Sequence, residues 1–265
     1  MVRGLYTAGT GMLLQRRLME NITNNITNAD TTGYKKEYVA SHSFDEEMIR
    51  RINDPHIVGF RSVAGLNAGP INRPADPRVG PLNMGTQVDQ IYIDFSTGAF
   101  DGTERPTDFA LEGDVFFVVQ TDAGERYTKC GAFYIDEAGY LVDGEANFLL
   151  GQNGPLYVGG LNFQVNELGA VFVNGSFTDT IRLVSFADNG QLRKQGSNLY
   201  FSLDEPIAAN PHRVRQGVLE TSNVDIAREM VDMITVYRTY ETNQRMISMV
   251  DEIAGKAVNE IGRLR

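Results

Sequence analysis

The C-terminal stretch of the chain, residues 221–265, reads TSNVDIAREMVDMITVYRTYETNQRMISMVDEIAGKAVNEIGRLR. It contains no proline, and its apolar side chains recur every three or four residues, which is the spacing of one face of an α-helix. The recurring positions are Ile226, Met230, Met233, Tyr237, Tyr240, Ile247, Val250, Ala254, Ala257, Ile261 and Leu264. The stretch predicts a helix of about forty residues, roughly 60 Å long, which needs a partner along its apolar face.

Two details of this stretch concern the start and the regularity of the helix. The steps from Gln244 to Ile247 and on to Val250 are both three residues, whereas a heptad repeat alternates three and four. We therefore expect the apolar face to shift sideways at this point. Ser222 lies three residues before an acidic side chain and predicts a start resembling a capping box, with Asn223 as an alternative cap.

The N-terminal residues 3–28 show a second helical repeat. Its apolar positions alternate steps of three and four, with Gln15 as the one polar step: Leu5, Ala8, Met12, Met19, Ile22 and Ile26. The following residues 24–35, NNITNADTTGYK, are rich in side chains that compete with the helix backbone for hydrogen bonds. They predict a helix end and a turn, in which Gly33 adopts a positive φ and Tyr34 folds back onto the helix end.

The middle of the chain changes character at about residue 106. Residues 35–105 have weak periodicity and many prolines and glycines, so they predict an extended linking segment, with Phe44–Ile52 as one candidate amphipathic helix. From residue 114 to 203, four apolar runs each meet a short turn that contains glycine, which is typical of β-hairpins. These turns are Asp122–Gly124, Asp136–Gly139, Asn166–Gly169 and Asp188–Gly190.

The fold class predicted from these patterns is α+β. Long N- and C-terminal helices pair as an antiparallel coiled coil, and a central antiparallel β domain is inserted between them. The expected boundaries are an N-terminal helix at 1–34, a linking segment at 35–105, a β domain at 106–205, a return segment at 206–221 and a C-terminal helix at 222–265.

Charge and composition exclude several classes of protein. The formal net charge of −10 and the pI of about 4.8 repel nucleic acid phosphates and anionic membrane surfaces. Apolar runs are too short for a transmembrane helix, and Arg16 and Arg17 interrupt the N-terminus before the apolar core of a cleavable signal peptide forms. Cys130 is the single cysteine, so no intrachain disulfide forms.

Residues for catalysis or for binding metal ions are sparse. His42, His56 and His212 lie far apart, and none has a metal-ligating partner at helical spacing. Cys130 has a lysine neighbour but no convincing histidine base, and the glycines form no phosphate-binding loop or dinucleotide fingerprint. We therefore expect no enzyme activity, no metal ion, no cofactor and no small-molecule substrate.

A glycan-binding envelope module is the alternative from another functional class. Its candidate sugar-stacking residues are Tyr127, Phe133, Tyr134, Tyr140 and Tyr157. Strand alternation places many of these rings in a core, which argues against a continuous sugar platform.

Three motifs in order resemble the bacterial flagellar rod and hook protein family. The first is NNITNADTTGYK at 24–35. The second is DFALEGDVFFVV at 108–119, followed by YTKCGAFYIDEAGYLV at 127–142. The third is GVLETSNVD at 217–225, followed by EMVDMI and YRTYETNQRMI. The resemblance covers essentially the whole chain.

This resemblance implies a mechanical role. Proteins of the family are exported unfolded by the flagellar type III apparatus without a cleaved signal. They then polymerise helically into the rod of the basal body, the drive shaft that joins the motor to the hook. The implied partners are other copies of the chain and other rod and hook subunits. The length and the long segment between Phe44 and Leu111 resemble the distal rod protein, while a proximal rod or hook-type subunit is the alternative.

The residues expected at subunit or coiled-coil interfaces combine the helix repeats with the motif positions. At the N-terminal end they are Leu5, Met12, Met19, Ile22, Asn24, Asn25, Ile26, Asn28, Thr31, Gly33 and Tyr34. At the C-terminal end they are Ser222, Asn223, Val224, Met230, Met233, Ile234, Tyr237, Tyr240, Ile247, Val250 and Ile261.

Overall fold

A helix at each end of the chain flanks a long series of strands, which confirms the α+β fold class. The computed structural model describes residues 2–44, 47–50, 62–63, 66–67, 78–82, 85–202, 204–208 and 213–262. Helix α1 spans Val2–Thr27 and helix α2 spans Ile226–Gly262, and a short 3₁₀ helix spans Asn189–Gln191. Within the described ranges, no helix combines the length and the apolar composition that crossing a bilayer requires.

The strands are short. In chain order they are β1 (Glu37–Ser43), β2 (Glu47–Arg50), β3 (Ser62–Val63), β4 (Leu66–Asn67), β5 (Arg78–Leu82), β6 (Thr86–Ile93), β7 (Phe100–Gly102), β8 (Phe109–Glu112), β9 (Phe116–Thr121), β10 (Gly124–Thr128), β11 (Tyr134–Ile135), β12 (Leu141–Val142), β13 (Phe148–Leu149), β14 (Phe163–Val165), β15 (Ala170–Val173), β16 (Ser176–Thr180), β17 (Leu183–Ser185), β18 (Arg193–Lys194), β19 (Leu199–Phe201), β20 (Ile207–Ala208), β21 (Arg213–Gln216) and β22 (Val218–Glu220).

The chain forms two compact units. One consists of Met1–Arg17, Ala40–Gln90 and Val236–Arg265, and the other of Leu18–Val39 and Ile91–Thr235. The second unit contains the β domain, whose largest sheet has the strand order β11-β12-β13-β9-β10-β19-β18, with β17 joining β9 to β20. A smaller sheet has the order β14-β15-β16, and β7 and β8 pair with β22 and β21. All the pairings in these sheets are antiparallel where the structure describes them.

The β domain buries two apolar clusters, one on each side of β9. Alternate residues of this strand point to opposite faces. Phe117 and Val119 belong to the larger cluster with Leu141 and Leu149, while Phe116 and Val118 belong to the smaller one. Because both faces of β9 are covered, this strand appears in the sequence as a continuous apolar run rather than an alternating one.

Three of the four predicted hairpins are confirmed. The turns at Asp122–Gly124, Asp136–Gly139 and Asn166–Gly169 join β9 to β10, β11 to β12 and β14 to β15. The fourth prediction is wrong, because Asn189–Gln191 form the 3₁₀ helix and the flanking strands β17 and β18 pair with other strands. The Asp188 carboxylate accepts a hydrogen bond from the Gly190 amide at 2.8 Å, which caps that helix.

The segment before residue 106 contains more strand than the sequence predicts. The amphipathic helix proposed for Phe44–Ile52 is wrong where the structure describes it, because Glu47–Arg50 pairs with Arg78–Leu82 as an antiparallel ladder. Such pairing depends on a distant partner, which a local pattern does not register. Pro81 lies in the second of these strands; Pro55, Pro70, Pro74 and Pro77 lie outside the described residues, as do His56 and His212.

Candidate functional site

The two terminal motifs meet in a buried polar cluster within the β-domain unit. We call it the junction and define it by Asn25, residues 33–37, residues 94–98, Glu220, Asn223 and Glu229. Gly33 ends the turn after α1, residues 34–36 follow it and lead into β1 at Glu37, and Glu220 ends β22 shortly before α2 begins. The motif at 24–35 and the motif at 217–225 are therefore adjacent in space although they are distant in sequence.

Asn25 is the centre of the junction and is fully buried. Its side-chain amide nitrogen donates to the Glu37 carbonyl oxygen at 2.8 Å and to Glu229 Oε2 at 3.2 Å. Its amide oxygen accepts from the Tyr34 hydroxyl and from the Glu37 backbone nitrogen, both at 3.0 Å. All four hydrogen-bonding positions of this side chain are used, so no other residue type of this size satisfies the same partners.

Lys35 and Glu220 form a buried ion pair. Lys35 Nζ lies 2.5 Å from Glu220 Oε1, and the two side chains are 0% and 1% exposed. Lys35 Nζ also donates to the Ser96 carbonyl oxygen at 2.8 Å, while Glu220 Oε1 accepts from the Gly98 amide at 2.9 Å. Loss of one partner would leave a buried charge without its counter-ion, which is far more costly than loss of an exposed pair.

Two further ion pairs connect the same segment to its surroundings. Lys36 Nζ lies 2.5 Å from Glu229 Oε1 in the first turn of α2, and Lys194 Nζ lies 2.7 Å from Glu37 Oε1. Consecutive side chains of an extended segment point to opposite sides. Lys35 therefore reaches β22 while Lys36 reaches α2, and the segment binds both.

Tyr34 folds back onto the end of α1, as the sequence predicts. Its side chain is fully buried, its hydroxyl donates to Asn25, and Lys194 Nζ lies 4.2 Å from the centre of its ring. Burial, together with the Glu37 and Glu229 carboxylates, raises the pKa of Tyr34 above its usual value. The hydroxyl therefore stays protonated and remains a hydrogen-bond donor at neutral pH.

Gly33 and Gly98 permit close backbone contacts at the junction. Gly33 has a φ of +67°, which confirms the predicted positive φ, and its amide donates to the Glu220 carbonyl oxygen at 2.8 Å. A Cβ atom at Gly33 would lie 2.6 Å from the Cys130 backbone. One at Gly98 would lie 2.0 Å from the Thr221 carbonyl oxygen. Both positions therefore require glycine.

The start of α2 differs from the prediction. Asp225 caps the helix, because its carboxylate accepts from the amides of Ala227 at 3.0 Å and Arg228 at 3.2 Å. Asn223 instead accepts from the Lys36 amide at 2.7 Å and donates to the Asp94 carbonyl oxygen at 2.9 Å. The cap predicted at Ser222 or Asn223 is wrong, because tertiary contacts use Asn223 and place the helix start further along the chain.

The predicted interface residues differ in exposure. The buried ones are Ile22, Asn25, Gly33 and Tyr34. The half-buried ones are Met12, Met19, Ile26, Asn28, Thr31, Ser222, Asn223, Val224, Met233, Tyr240, Ile247 and Val250. The exposed ones are Leu5, Asn24, Met230, Ile234 and Tyr237. The side chain of Ile261 lies outside the described residues.

The half-buried row on α2 does not shift between Gln244 and Val250. It alternates steps of three and four throughout: Met233, Val236, Tyr240, Asn243, Ile247, Val250, Ala254 and Ala257. Val236 and Asn243 occupy the places that the apolar pattern assigned to Tyr237 and Gln244, both of which are exposed. The predicted shift arose because Asn243 is polar and was not counted.

The sequence reasoning missed several junction residues. Ser96 and Gly98 in the junction, and Lys194, which pairs with Glu37, lie outside the recognised motifs, and no local pattern marks them. Lys35 and Glu220 do lie within quoted motifs, and their opposite charges at the two motifs were the available signal. Within the described residues, no group of three or more histidine, cysteine, aspartate or glutamate side chains is arranged to hold a metal ion.

Lys129 lies beside the junction and gives a pH-dependent prediction. It is 3% exposed, and its Nζ donates to the Gly113 carbonyl oxygen at 2.8 Å. Burial lowers the pKa of Lys129 from 10.5 to about 8. Between pH 8 and 10.5 the unfolded chain therefore keeps a proton on this amine that the folded chain lacks, so this group adds stability as pH rises.

We expect the Lys129→Met variant to lack this gain. Urea unfolding measures the free energy of unfolding of both proteins between pH 8 and 10.5. We expect it to rise by about 3 kcal/mol more for the wild type than for the variant. Because the two proteins share every other titratable group, the difference between them cancels the titration of those groups. Stability curves that run parallel across the window would contradict the assignment to Lys129.

Comparisons with known proteins match the same three regions. Residues 5–35 match the family described as "Flagella basal body rod protein". Residues 110–192 match "Flagellar hook protein FlgE/F/G D1 domain", and residues 215–260 match "Flagellar basal body rod FlgEFG protein C-terminal". The first and last matches contain Asn25, residues 33–35, Glu220, Asn223 and Glu229 of the junction.

Relatives match over the full length of the chain. The flagellar hook-basal body complex protein FlhO of Bacillus subtilis is 32% identical, and the alignment covers 100% of both chains. The flagellar basal-body rod protein FlgG of the same organism is 31% identical over 98% of this chain and 99% of its own. FlgG of Borreliella burgdorferi is 32% identical over 98% of both. Since proteins of this family are structural, the chain is not an enzyme, and it belongs to the flagellar basal-body rod and hook family.

Proposed function

We propose that the chain is a structural subunit of the flagellar basal-body rod, which polymerises helically with its own copies and with other rod and hook subunits. The full-length similarity to rod proteins is the observation that carries this proposal. The buried junction fits the role, since it fixes the ends of both terminal helices to the β domain with ion pairs that resist shear. Export by the flagellar type III apparatus belongs to the same proposal.

The two terminal helices pair as an antiparallel coiled coil in this proposal. In one unit, a Cβ at Gly11 would lie 3.0 Å from the Asn243 side-chain nitrogen. In the other, Asn25 donates to Glu229. Asn25 follows Gly11 by two heptads along α1, and Asn243 follows Glu229 by two heptads along α2, as antiparallel pairing requires.

Neighbouring subunits cover the exposed apolar side chains of α2 in this proposal. These side chains lie beside the half-buried row and include Met230, Ile234, Tyr237, Met246, Met249 and Ile253. Apolar groups in such number on one helix are typical of a surface that binds another protein. Contacts between unlike surfaces of identical chains generate open helical polymers, which is the form of a rod.

A distal position in the rod is the more specific part of the proposal. The chain length of 265 residues and the long segment between Phe44 and Leu111 support it. The alternative is a proximal rod or hook-type subunit.

Localisation in isolated basal bodies tests the proposal. Gold labelling of an epitope-tagged chain should mark the rod, on the side nearer the hook. Deletion of the gene should remove hook and filament while the membrane ring remains. Label on the hook alone, or normal motility of a clean deletion strain, would contradict a rod function, and label confined to the membrane-proximal end would reassign the chain to the proximal rod.

A further inference from the structure

Four aromatic side chains share one face of the β domain. Tyr134 lies opposite Val142 across β11 and β12, Phe148 lies opposite Val142 on β13, and Tyr140 lies opposite Tyr157. Residues directly opposite each other in antiparallel strands project to the same side, as do residues two apart on one strand. We call this surface the aromatic face and define it by Tyr134, Tyr140, Phe148 and Tyr157.

The strands that carry the aromatic face cover the core with their other side, and the aromatic face itself is partly exposed to solvent. The ring of Tyr140 lies 5.8 Å from that of Phe148 and 5.4 Å from that of Tyr157, at interplanar angles of 84° and 71°. Leu141 and Leu149 project to the opposite side and are fully buried in the core. Tyr134 and Tyr157 are each 48% exposed. The rings are therefore held by their neighbours while two of them face solvent.

Two glycines fix the orientation of Tyr157. A Cβ atom at Gly139 would lie 2.9 Å from the Tyr157 ring, and one at Gly159 would lie 3.1 Å from its hydroxyl. The ring thus packs against backbone at positions where a Cβ atom would collide with it, while about half of the residue remains exposed. A ring fixed in this way loses little rotamer freedom on binding, which favours its use as an anchor.

The stretch of chain that carries the aromatic face has an excess of acidic side chains. Residues 131–181 contain no lysine, arginine or histidine. Of their acidic side chains, Asp136, Glu137, Asp143 and Glu145 lie in the turns that join β11 to β12 and β12 to β13. Glu167 pairs with Arg213, and Asp179 is buried. Arg105, from outside this stretch, places its guanidinium carbon 5.4 Å from the centre of the Tyr134 ring. This contact shows that the Tyr134 ring accepts a guanidinium group, and the carboxylates in the adjoining turns attract further cations.

We propose that the aromatic face is a docking surface for an arginine-rich segment of a different, cationic protein. Guanidinium groups stack on exposed tyrosine rings and pair with carboxylates, so aromatic and acidic groups together suit arginine better than lysine. A glycan fits less well because sugars stack on flat platforms and these rings stand nearly perpendicular to one another. Contact between the aromatic faces of two copies fits less well, because both faces carry the same acidic turns.

The test uses the full-length protein and a synthetic peptide of alternating arginine and glycine, titrated by isothermal calorimetry at low and at physiological salt. We expect binding that weakens with salt, and a weaker affinity for the matching lysine peptide. Tyr157→Ala should weaken binding of the arginine peptide about fivefold, the loss expected for one cation–π contact.

Phe177→Ala is the matched control, since Phe177 is an exposed aromatic residue of the same domain on β16, outside the aromatic face. It should keep wild-type affinity, and urea unfolding should show that both variants remain folded. If Tyr157→Ala and wild type bind the arginine peptide with equal affinity, the binding is nonspecific charge attraction, and the proposal is overturned. Tighter binding of chitohexaose, lost in Tyr157→Ala, would overturn it in favour of a glycan. Neither result would affect the rod function.

Discussion

Replacement of Glu220 by glutamine is expected to lower the free energy of unfolding by about 3–5 kcal/mol. The change keeps the shape of the side chain but leaves the Lys35 ammonium group buried without its counter-ion. Lys35 Nζ would keep only neutral acceptors, the Ser96 carbonyl oxygen and the new amide oxygen, and neither compensates its charge. Urea unfolding at neutral pH, followed by circular dichroism, measures the loss.

Two variants separate this effect from a general sensitivity to lost charge. Glu125→Gln removes the partner of Arg182 from a pair whose side chains are 39% and 37% exposed, and it should cost less than about 1 kcal/mol. The double variant Lys35→Met with Glu220→Leu removes both buried charges and should recover most of the stability. An unfolding free energy of Glu220→Gln within 1 kcal/mol of wild type would show that the pair does not hold the junction.

Substitution of Gly33 by alanine is expected to detach the N-terminal motif from the β domain. The left-handed φ of +67° costs a residue with a Cβ atom about 1–2 kcal/mol. The added Cβ would also lie 2.6 Å from the Cys130 backbone, which cannot move without disturbing β10. We expect a total loss greater than about 2 kcal/mol, and limited proteolysis should cleave the variant near residues 28–36 first.

Other glycines serve as graded controls for this substitution. Gly175 has a φ of +81° but open space around it, so Gly175→Ala should show the backbone cost alone. Gly160 has neither a positive φ nor a close neighbour, so Gly160→Ala should leave stability unchanged. The account is contradicted if Gly33→Ala lowers the free energy of unfolding no more than Gly175→Ala does and leaves the proteolysis pattern unchanged. The close packing of the N-terminal motif on Cys130 would then not be what attaches the motif to the β domain.

The elements that the sequence predicted well depend on local patterns. Both helices, the turn at Gly33 and three hairpins follow from apolar spacing and from residues that tolerate a positive φ, which are properties of short stretches. Tyr34 is the most specific success, because its burial against the helix end follows from its position after the turn.

The elements that the sequence did not predict depend on distant partners. The strand at Glu47–Arg50 forms only because Arg78–Leu82 lies beside it. Asn223 is a good capping residue by type, yet Lys36 and Asp94 use its side chain. The junction itself joins Lys35 to Glu220 across most of the chain, and no periodicity relates two such positions. The motifs were enough to identify the family, but the contacts that hold those motifs together are visible only in the structure.

Cross-linking within assembled basal bodies tests the central claim most directly, namely that the chain is a rod subunit whose terminal helices pair antiparallel. In a Cys130→Ser background, Gly11→Cys and Asn243→Cys should form an intrachain disulfide in chains recovered from isolated basal bodies. Leu13→Cys with Asn243→Cys should not, because Leu13 is exposed on another side of α1. Absence of the first cross-link from chains that are present in basal bodies, or its replacement by interchain bonds alone, would contradict the pairing. Absence of the chain itself from these preparations would contradict its role in the rod.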